Sequence, residues 1–281
     1  MFVWKVLKKV YFDIARHDVS GQAAVLAFSH LFSLFPFLLC LSALVGIFSP
    51  GTNLIPFVME RIERYFPQET LPVIEGTFEG IARGYAPQVL TVGFVALLYL
   101  VSRTYLRLMK GLSVAFDSTR RRNIFWANVL ALIMTIVSLA AVIVAFNLVF
   151  VGRRFMDGLL AAAQITGFWK FFGDYLRYPF ALVLIFLVVL LIYRVCPTRK
   201  VPLRHLWPGA TFFTLVWFLM TRAFGVYLLF FNRYNILYGT LGGLMILMAW
   251  FYMTAFLLLV GAEIAQAVHE VRAERPRDVH A

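Results

Sequence analysis

Charge is scarce in this chain. Asp, Glu, Lys and Arg make up 14% of its 281 residues, where a soluble domain carries about 25%. That leaves too little polar surface to coat a water-soluble globule of this size. Cysteine is almost absent: Cys40 and Cys196 fall in or at the end of different apolar runs, so a disulfide framework is not expected. No Cys-x-x-Cys pair occurs, and the five histidines (17, 30, 205, 269, 280) do not fall at metal-ligand spacings. Gly-x-x-x-x-Gly-Lys-Ser/Thr, His-Glu-x-x-His and Gly-x-Ser-x-Gly are all missing. No acidic residue falls in the central part of any long apolar run, so a two-carboxylate or two-metal centre has no ligands there. The expectation is a chain without metal, cofactor or catalytic machinery, and without an ATPase of its own.

What the chain has instead is hydrophobic length. Apolar residues reach 62% and the mean hydropathy is +0.82, and bilayer lipid is the solvent that tolerates such a surface. Six runs are long enough to cross a hydrocarbon core of about 30 Å as helices: residues 23–48, 89–108, 125–151, 178–195, 206–231 and 238–267. The expected fold is all-α, a single six-helix transmembrane domain over 23–267. Pro36 should kink the first span, and Pro208 sits where the first turn of the fifth is expected. Ahead of the spans, residues 1–22 are basic and amphipathic, and the apolar run after them exceeds the roughly 7–15 residues of a signal-peptide core. The first span therefore reads as an uncleaved anchor. Val3, Val6, Leu7, Val10, Tyr11 and Ile14 recur at helical spacing, with Lys5, Lys8, Lys9 and Arg16 largely elsewhere around the helix. This fits a helix lying on an anionic leaflet or one packed on the bundle. Residues 52–87 are too polar to span and read as an outer cap of two short amphipathic helices; residues 268–281 form a polar tail.

A net charge of +12 could suggest nucleic acid, so the placement of the basic groups decides its meaning. With the N-terminus inside, the inner segments hold 17 Lys/Arg and the outer ones 8, while acidic residues divide 7 and 7. Only the basic residues are asymmetric, as the positive-inside rule requires. The basicity is topogenic, both termini are expected in the cytoplasm, and no nucleic-acid partner is implied; membrane lipids are the expected surroundings.

Few polar residues interrupt the spans. Arg222, roughly 13 Å from the outer end of the fifth span at about 1.5 Å per residue, must face the interior or snorkel; it could attract an anionic group or pair with a polar neighbour. His30, Gln22 and Asn147 could line a polar path; the plainer reading is hydrogen bonding between helices. Glu263, at the inner end of the sixth span beside Gly261, is expected to pair with Arg103 or Arg107, or else to hold a coupling ion or proton. Asp117, among Lys110 and Arg120–Arg122, reads as a loop tether. Gly239 and Gly243, four apart, suit close helix packing.

Three stretches carry a resemblance: Ala23-Ala24-Val25-Leu26-Ala27-Phe28 with Leu31-Phe32-Ser33-Leu34-Phe35-Pro36; Trp207-Pro208-Gly209-Ala210 after Tyr193-Arg194-Val195-Cys196-Pro197; and Tyr238-Gly239-Thr240-Leu241-Gly242-Gly243 through Trp250-Phe251-Tyr252 to Gly261-Ala262-Glu263. In order and spacing the chain resembles the YihY/BrkB family of bacterial inner-membrane proteins. The family's Ala-Leu-Asn element reads Gly111-Leu112-Ser113 here, so no role of that Asn carries over. The resemblance implies a six-helix bundle in the inner membrane. Members have carried the label ribonuclease BN, and others are described as virulence factors or exporters. The function expected is a transporter or flippase-like exporter of an anionic lipid or amphipathic solute. The alternatives are a scaffold for envelope assembly and, with least support from the residues, a ribonuclease.

Overall fold

The computed structural model describes residues 2–48, 87–118, 122–146, 168–231 and 235–274. Every regular element among them is a helix: α1 (Phe2–Arg16), α2 (Val19–Phe48), α3 (Pro87–Ala115), α4 (Ile124–Phe146), α5 (Phe168–Val195), α6 (Leu203–Phe231) and α7 (Asn235–Glu274). The described part of each of the six apolar runs falls on one of α2–α7. Three described stretches are long and apolar enough to cross a bilayer: Thr91–Ala115, Leu203–Tyr227 and Gly242–Ala273. Val19–Leu34, Ile124–Ser138 and Ala181–Val195 are shorter apolar helices. The expected outer cap lies outside the described residues.

The chain forms two compact units. One comprises Met1–Val19, Leu108–Leu219 and Leu257–Ala281; the other comprises Ser20–Arg107 and Met220–Phe256. Both expose large apolar side chains: Phe28, Phe32, Val92 and Met245 in the second unit, Ile124, Phe125, Trp126 and Leu215 in the first. Helices that are apolar on exposed as well as packed faces suit lipid rather than water.

Helix ends differ from the sequence expectation in instructive ways. α6 begins at Leu203, three residues earlier than the apolar run, with His205 N–H donating to the Pro202 carbonyl at 2.9 Å. Pro208 therefore stands in the second turn, where its missing N–H removes the bond to the Arg204 carbonyl. α3 runs on to Ala115 and closes with a left-handed cap. Ser118 N–H bonds to the Ser113 carbonyl, Asp117 N–H bonds to that of Val114, and Asp117 itself has φ 47°. These are the paired bonds of a Schellman motif, with Asp filling the place usually taken by Gly. α1 ends on a similar corner at Asp18 (φ 45°), whose N–H reaches the Ala15 carbonyl before α2 starts at Val19.

α1 uses its two apolar sides differently. Val6 and Val10 are buried against Ala267, Val268 and Val271 of α7, flanked by Phe2, Ile14 and Ile264. Burying one such valine contributes roughly 1.5–3 kcal/mol. Val3, Trp4, Leu7 and Tyr11 remain exposed, Trp4 at 73%. One side of α1 thus packs on α7, as the second reading expects, and the other stays open.

Candidate functional site: a buried polar chain at the end of α7

The two capped corners deliver polar side chains to the C-terminal part of α7. The site begins with small residues. Gly209 of α6 and Gly261 of α7 meet so closely that a Cβ on Gly209 would run into the Gly261 carbonyl oxygen and stand 3.0 Å from the Ala265 Cβ. A Cβ on Gly261 would strike the Tyr193 hydroxyl and stand 2.8 Å from the Gly209 carbonyl oxygen. Tyr193, buried on α5, donates its hydroxyl to the Leu258 carbonyl at 2.6 Å. Two of the resembling stretches, around Gly209 and Gly261, are therefore a single contact in space. Gly239 and Gly243, expected to serve close packing, also lie in α7.

Two residues beyond that contact stands Glu263, with 1% of its surface exposed. His17, at the α1–α2 corner, donates from Nδ1 to Glu263 Oε1 at 2.8 Å, and its Nε2 faces Asp117 Oδ1 at 3.6 Å. His17 rather than Arg103 or Arg107 is thus the partner of Glu263. Arg107 donates to Ser29, and Arg103 lies over the Tyr99 ring at 5.1 Å, within the other unit. Asp117 meets His17 because the Schellman turn aims it away from its own loop. Of the neighbouring arginines, Arg122 donates instead to the Val195 and Pro197 carbonyls at 3.2 and 3.5 Å, where it caps the C-terminus of α5.

One turn further along α7, Gln266 is equally buried and donates Nε2 to Glu270 Oε1 at 2.5 Å. Glu270 Oε2 meets Lys9 Nζ at 2.8 Å, and Lys9 also reaches Asp13 at 3.3 Å. Burial pulls the Lys9 ammonium down, but Glu270 and Asp13 outweigh it and hold its pKa above the ordinary lysine value. Two oxygens in this chain have no hydrogen-bond partner, Glu263 Oε2 and Gln266 Oε1.

Beside this chain His205 and His269 bring their Nδ1 atoms within 2.8 Å. One must donate and the other accept, so they share a proton. Arg204 acts electrostatically on both, Arg199 on His269 and Arg272 on His205. The 64-residue separation hid this pair from any spacing rule. Among the described residues, no group of three or more His, Cys, Asp or Glu is arranged to hold a metal ion.

The remaining sequence candidates lie in the other unit. His30 is exposed, and its Nδ1 bonds to the Leu26 carbonyl of its own helix at 2.8 Å rather than to a neighbouring helix. Its ring stacks on Phe251 at 5.6 Å. Gln22 is half-buried on α2 and Arg222 is exposed on α6. Asn147 lies outside the described residues.

With this arrangement in view, the family described as "Virulence factor BrkB" matches residues 10–281. The chain belongs to the BrkB family. Among its relatives it is 27% identical over 266 residues to the "Putative ribonuclease-like protein YfkH" of Bacillus subtilis (strain 168), covering 94% of this chain and 95% of that one. It is likewise 27% identical to a "UPF0761 membrane protein" of Cronobacter sakazakii, covering 96% and 90%. A "UPF0761 membrane protein" of Xanthomonas oryzae is 25% identical over 89% of this chain, which spans only 57% of that longer relative. No solved structure matches the chain. This BrkB-family chain is a membrane protein, and the label ribonuclease belongs to the relative that bears it.

Proposed function

We propose that this BrkB-family protein is a transporter, a flippase-like exporter of an anionic lipid or amphipathic solute, with six spans and both termini on the cytoplasmic side of the inner membrane. The observation that carries the reading is Glu263: a carboxyl group with 1% exposure near the end of an apolar helix, tied to His17. Ionisable groups held inside a membrane bundle are costly, and they mark substrate or ion pathways. A lipid-embedded scaffold has no need of such a chain.

The sign of the substrate is suggested by the basic groups. Arg222 is exposed part-way along α6. Arg199, Arg204 and Arg272 gather around the His205–His269 pair, a setting for anionic headgroups worth about 1 kcal/mol per basic residue near the surface. Exposed Trp4, Trp126 and Trp207, each close to a helix start, have the composition of an interfacial aromatic belt. Among the described residues, no group of His, Cys, Asp and Glu is arranged to hold a metal ion for the chemistry in the Bacillus relative's name.

The test is flux. Purified wild type, Arg222→Ala and Arg222→Lys are reconstituted at equal density into vesicles of anionic and neutral phospholipid, and translocation of a labelled anionic lipid is followed. Loss with Ala and partial retention with Lys are expected. Wild-type vesicles no faster than protein-free ones, or equal rates in all three proteins, would sink the reading.

A further inference from the structure

The polar chain along α7 is continuous except at one point. His17 is bonded to Glu263 Oε1, Gln266 to Glu270, and Glu270 to Lys9. Between the two halves stand Glu263 Oε2 and Gln266 Oε1, both buried and both without a donor. They belong to residues three apart, on the same face of the helix. Exchanging the oxygen and nitrogen of the Gln266 amide does not cure this. Glu270 Oε1 can only accept, so the amide nitrogen must stay on it and the oxygen must point away. Two buried acceptors on one helix face, neither supplied with a hydrogen, each lack the bond that would offset their removal from water.

A single proton removes the conflict. On Glu263 Oε2 it turns an orphan acceptor into a donor, with Gln266 Oε1 as its acceptor, and leaves Oε1 free to accept from His17. Charge points the same way. The groups facing Glu263 are His17 and Asp13 from α1 and its corner and Asp117 from the end of α3; Lys9 and Glu270 complete the chain. Arg199 acts on Glu270 as well, and with His17, Lys9 and Arg199 all cationic, four carboxylates still outnumber three cations. A bridging water would supply hydrogens but leave that excess untouched; a proton relieves both. We propose that Glu263 is a proton-binding site, holding an exchangeable proton on Oε2 that bridges to Gln266 Oε1 and closes the polar chain from His17 to Lys9.

Loss of the proton breaks the Oε2–H bond and returns two unpaired oxygens to a buried site. Deprotonation therefore favours rearrangement of Gln266 or of the α1 corner that carries His17, and protonation favours the packing described here. The use of that proton to drive export rests on the transport reading above, whereas the site itself does not.

Infrared spectroscopy of the full-length protein in lipid nanodiscs at neutral pH tests it. The expected result is one carboxylic-acid C=O band that shifts in D2O, is lost in Glu263→Gln and is kept in Glu270→Gln. Should Glu263→Gln fold poorly, His17→Leu, which fills space but has no donor, gives an independent readout. Removing the bond to Oε1 should move the same band to higher frequency. A spectrum with no such band, or one unchanged in both Glu263→Gln and His17→Leu, overturns the proposal. So does a band that sodium chloride abolishes but potassium chloride does not, which would make this a sodium site. If the band behaves as expected but a pH gradient drives no lipid flux, the proton site stands and the transport reading falls.

Discussion

In the unit formed by Ser20–Arg107 and Met220–Phe256, four polar side chains bond one turn back on their own helix: Ser29 to Val25, His30 to Leu26, Ser33 to His30 and Thr104 to Leu100. Arg107 adds a cross-helix donor to Ser29. In the other unit Thr135 and Thr214 do the same, but His17 and Glu263 pair across 246 residues and Lys9 and Glu270 across a still longer stretch, the first pair buried and the second half-buried. A polar group that satisfies itself on its own helix costs the fold little and specifies little. One that needs a distant partner fixes how three chain segments meet. Breaking a link should therefore hurt much more in the second case.

The largest contrast is expected between glycines. A Cβ at Gly209 meets backbone, which cannot rotate aside, whereas a Cβ at Gly225, also on α6, meets nothing within 4 Å. Gly209→Ala should lose about 3 kcal/mol or more, the upper range for forced overpacking. Gly225→Ala should be neutral or gain up to about 1 kcal/mol from helix propensity. Midpoints of thermal unfolding in one detergent decide it; equal midpoints for the two variants would show that the α6–α7 approach is not close.

The next contrast sets His17 against His30. His17→Ala strips Glu263 of its donor and leaves a second buried oxygen unsatisfied, a change that costs about 1–3 kcal/mol for a protonated acid. His30→Ala removes a bond to a carbonyl of its own helix and one ring contact with Phe251, worth about 1 kcal/mol. The same melting measurement, with far-UV helicity as a control, should rank His17→Ala well below His30→Ala. The reverse order would mean that the polar chain contributes little to the fold.

That ranking inverts the one the sequence suggests, and the reason is physical. Long apolar runs announce their helices because membrane length and hydropathy are local properties, so the described part of each run fell on a helix, whereas the amphipathic segment expected over 1–22 ends as a helix at Arg16 and its last residues already belong to α2. His30 and Arg222 stood out because they interrupt apolar stretches. His17 did not, since it sits in a polar corner where one more polar residue means nothing by itself. Its role depends on the left-handed turns at Asp18 and Asp117, which no periodicity reveals, and on a partner near the far end of the chain. Glu263 was visible as an acid beside Gly261. Its partner was not, because an arginine is the default choice for a buried carboxylate and only the fold shows that a histidine arrives first. The contact of Gly209 with Gly261 was half legible: both glycines lie in resembling stretches, but nothing in either says that they touch.

The smallest effect isolates what the second corner adds. Asp18 and Asp117 share the same left-handed backbone, and replacing either with Gly relieves similar strain while enlarging the freedom of the unfolded chain by a similar amount. Those two terms nearly cancel, so Asp18→Gly should change stability by no more than about 0.5 kcal/mol. Asp117→Gly makes the same backbone exchange and also removes the carboxylate 3.6 Å from His17 Nε2. Because that side chain is 36% exposed, its pairing is worth about 0.2–1 kcal/mol, in the range of surface ion pairs. The difference between the two variants, rather than either value alone, reads the pair. It should shrink in high salt, which screens a partly exposed contact, and in the His17→Ala background it should disappear. A difference that persists without His17 would show that Asp117 serves the cap of α3 and not the polar chain.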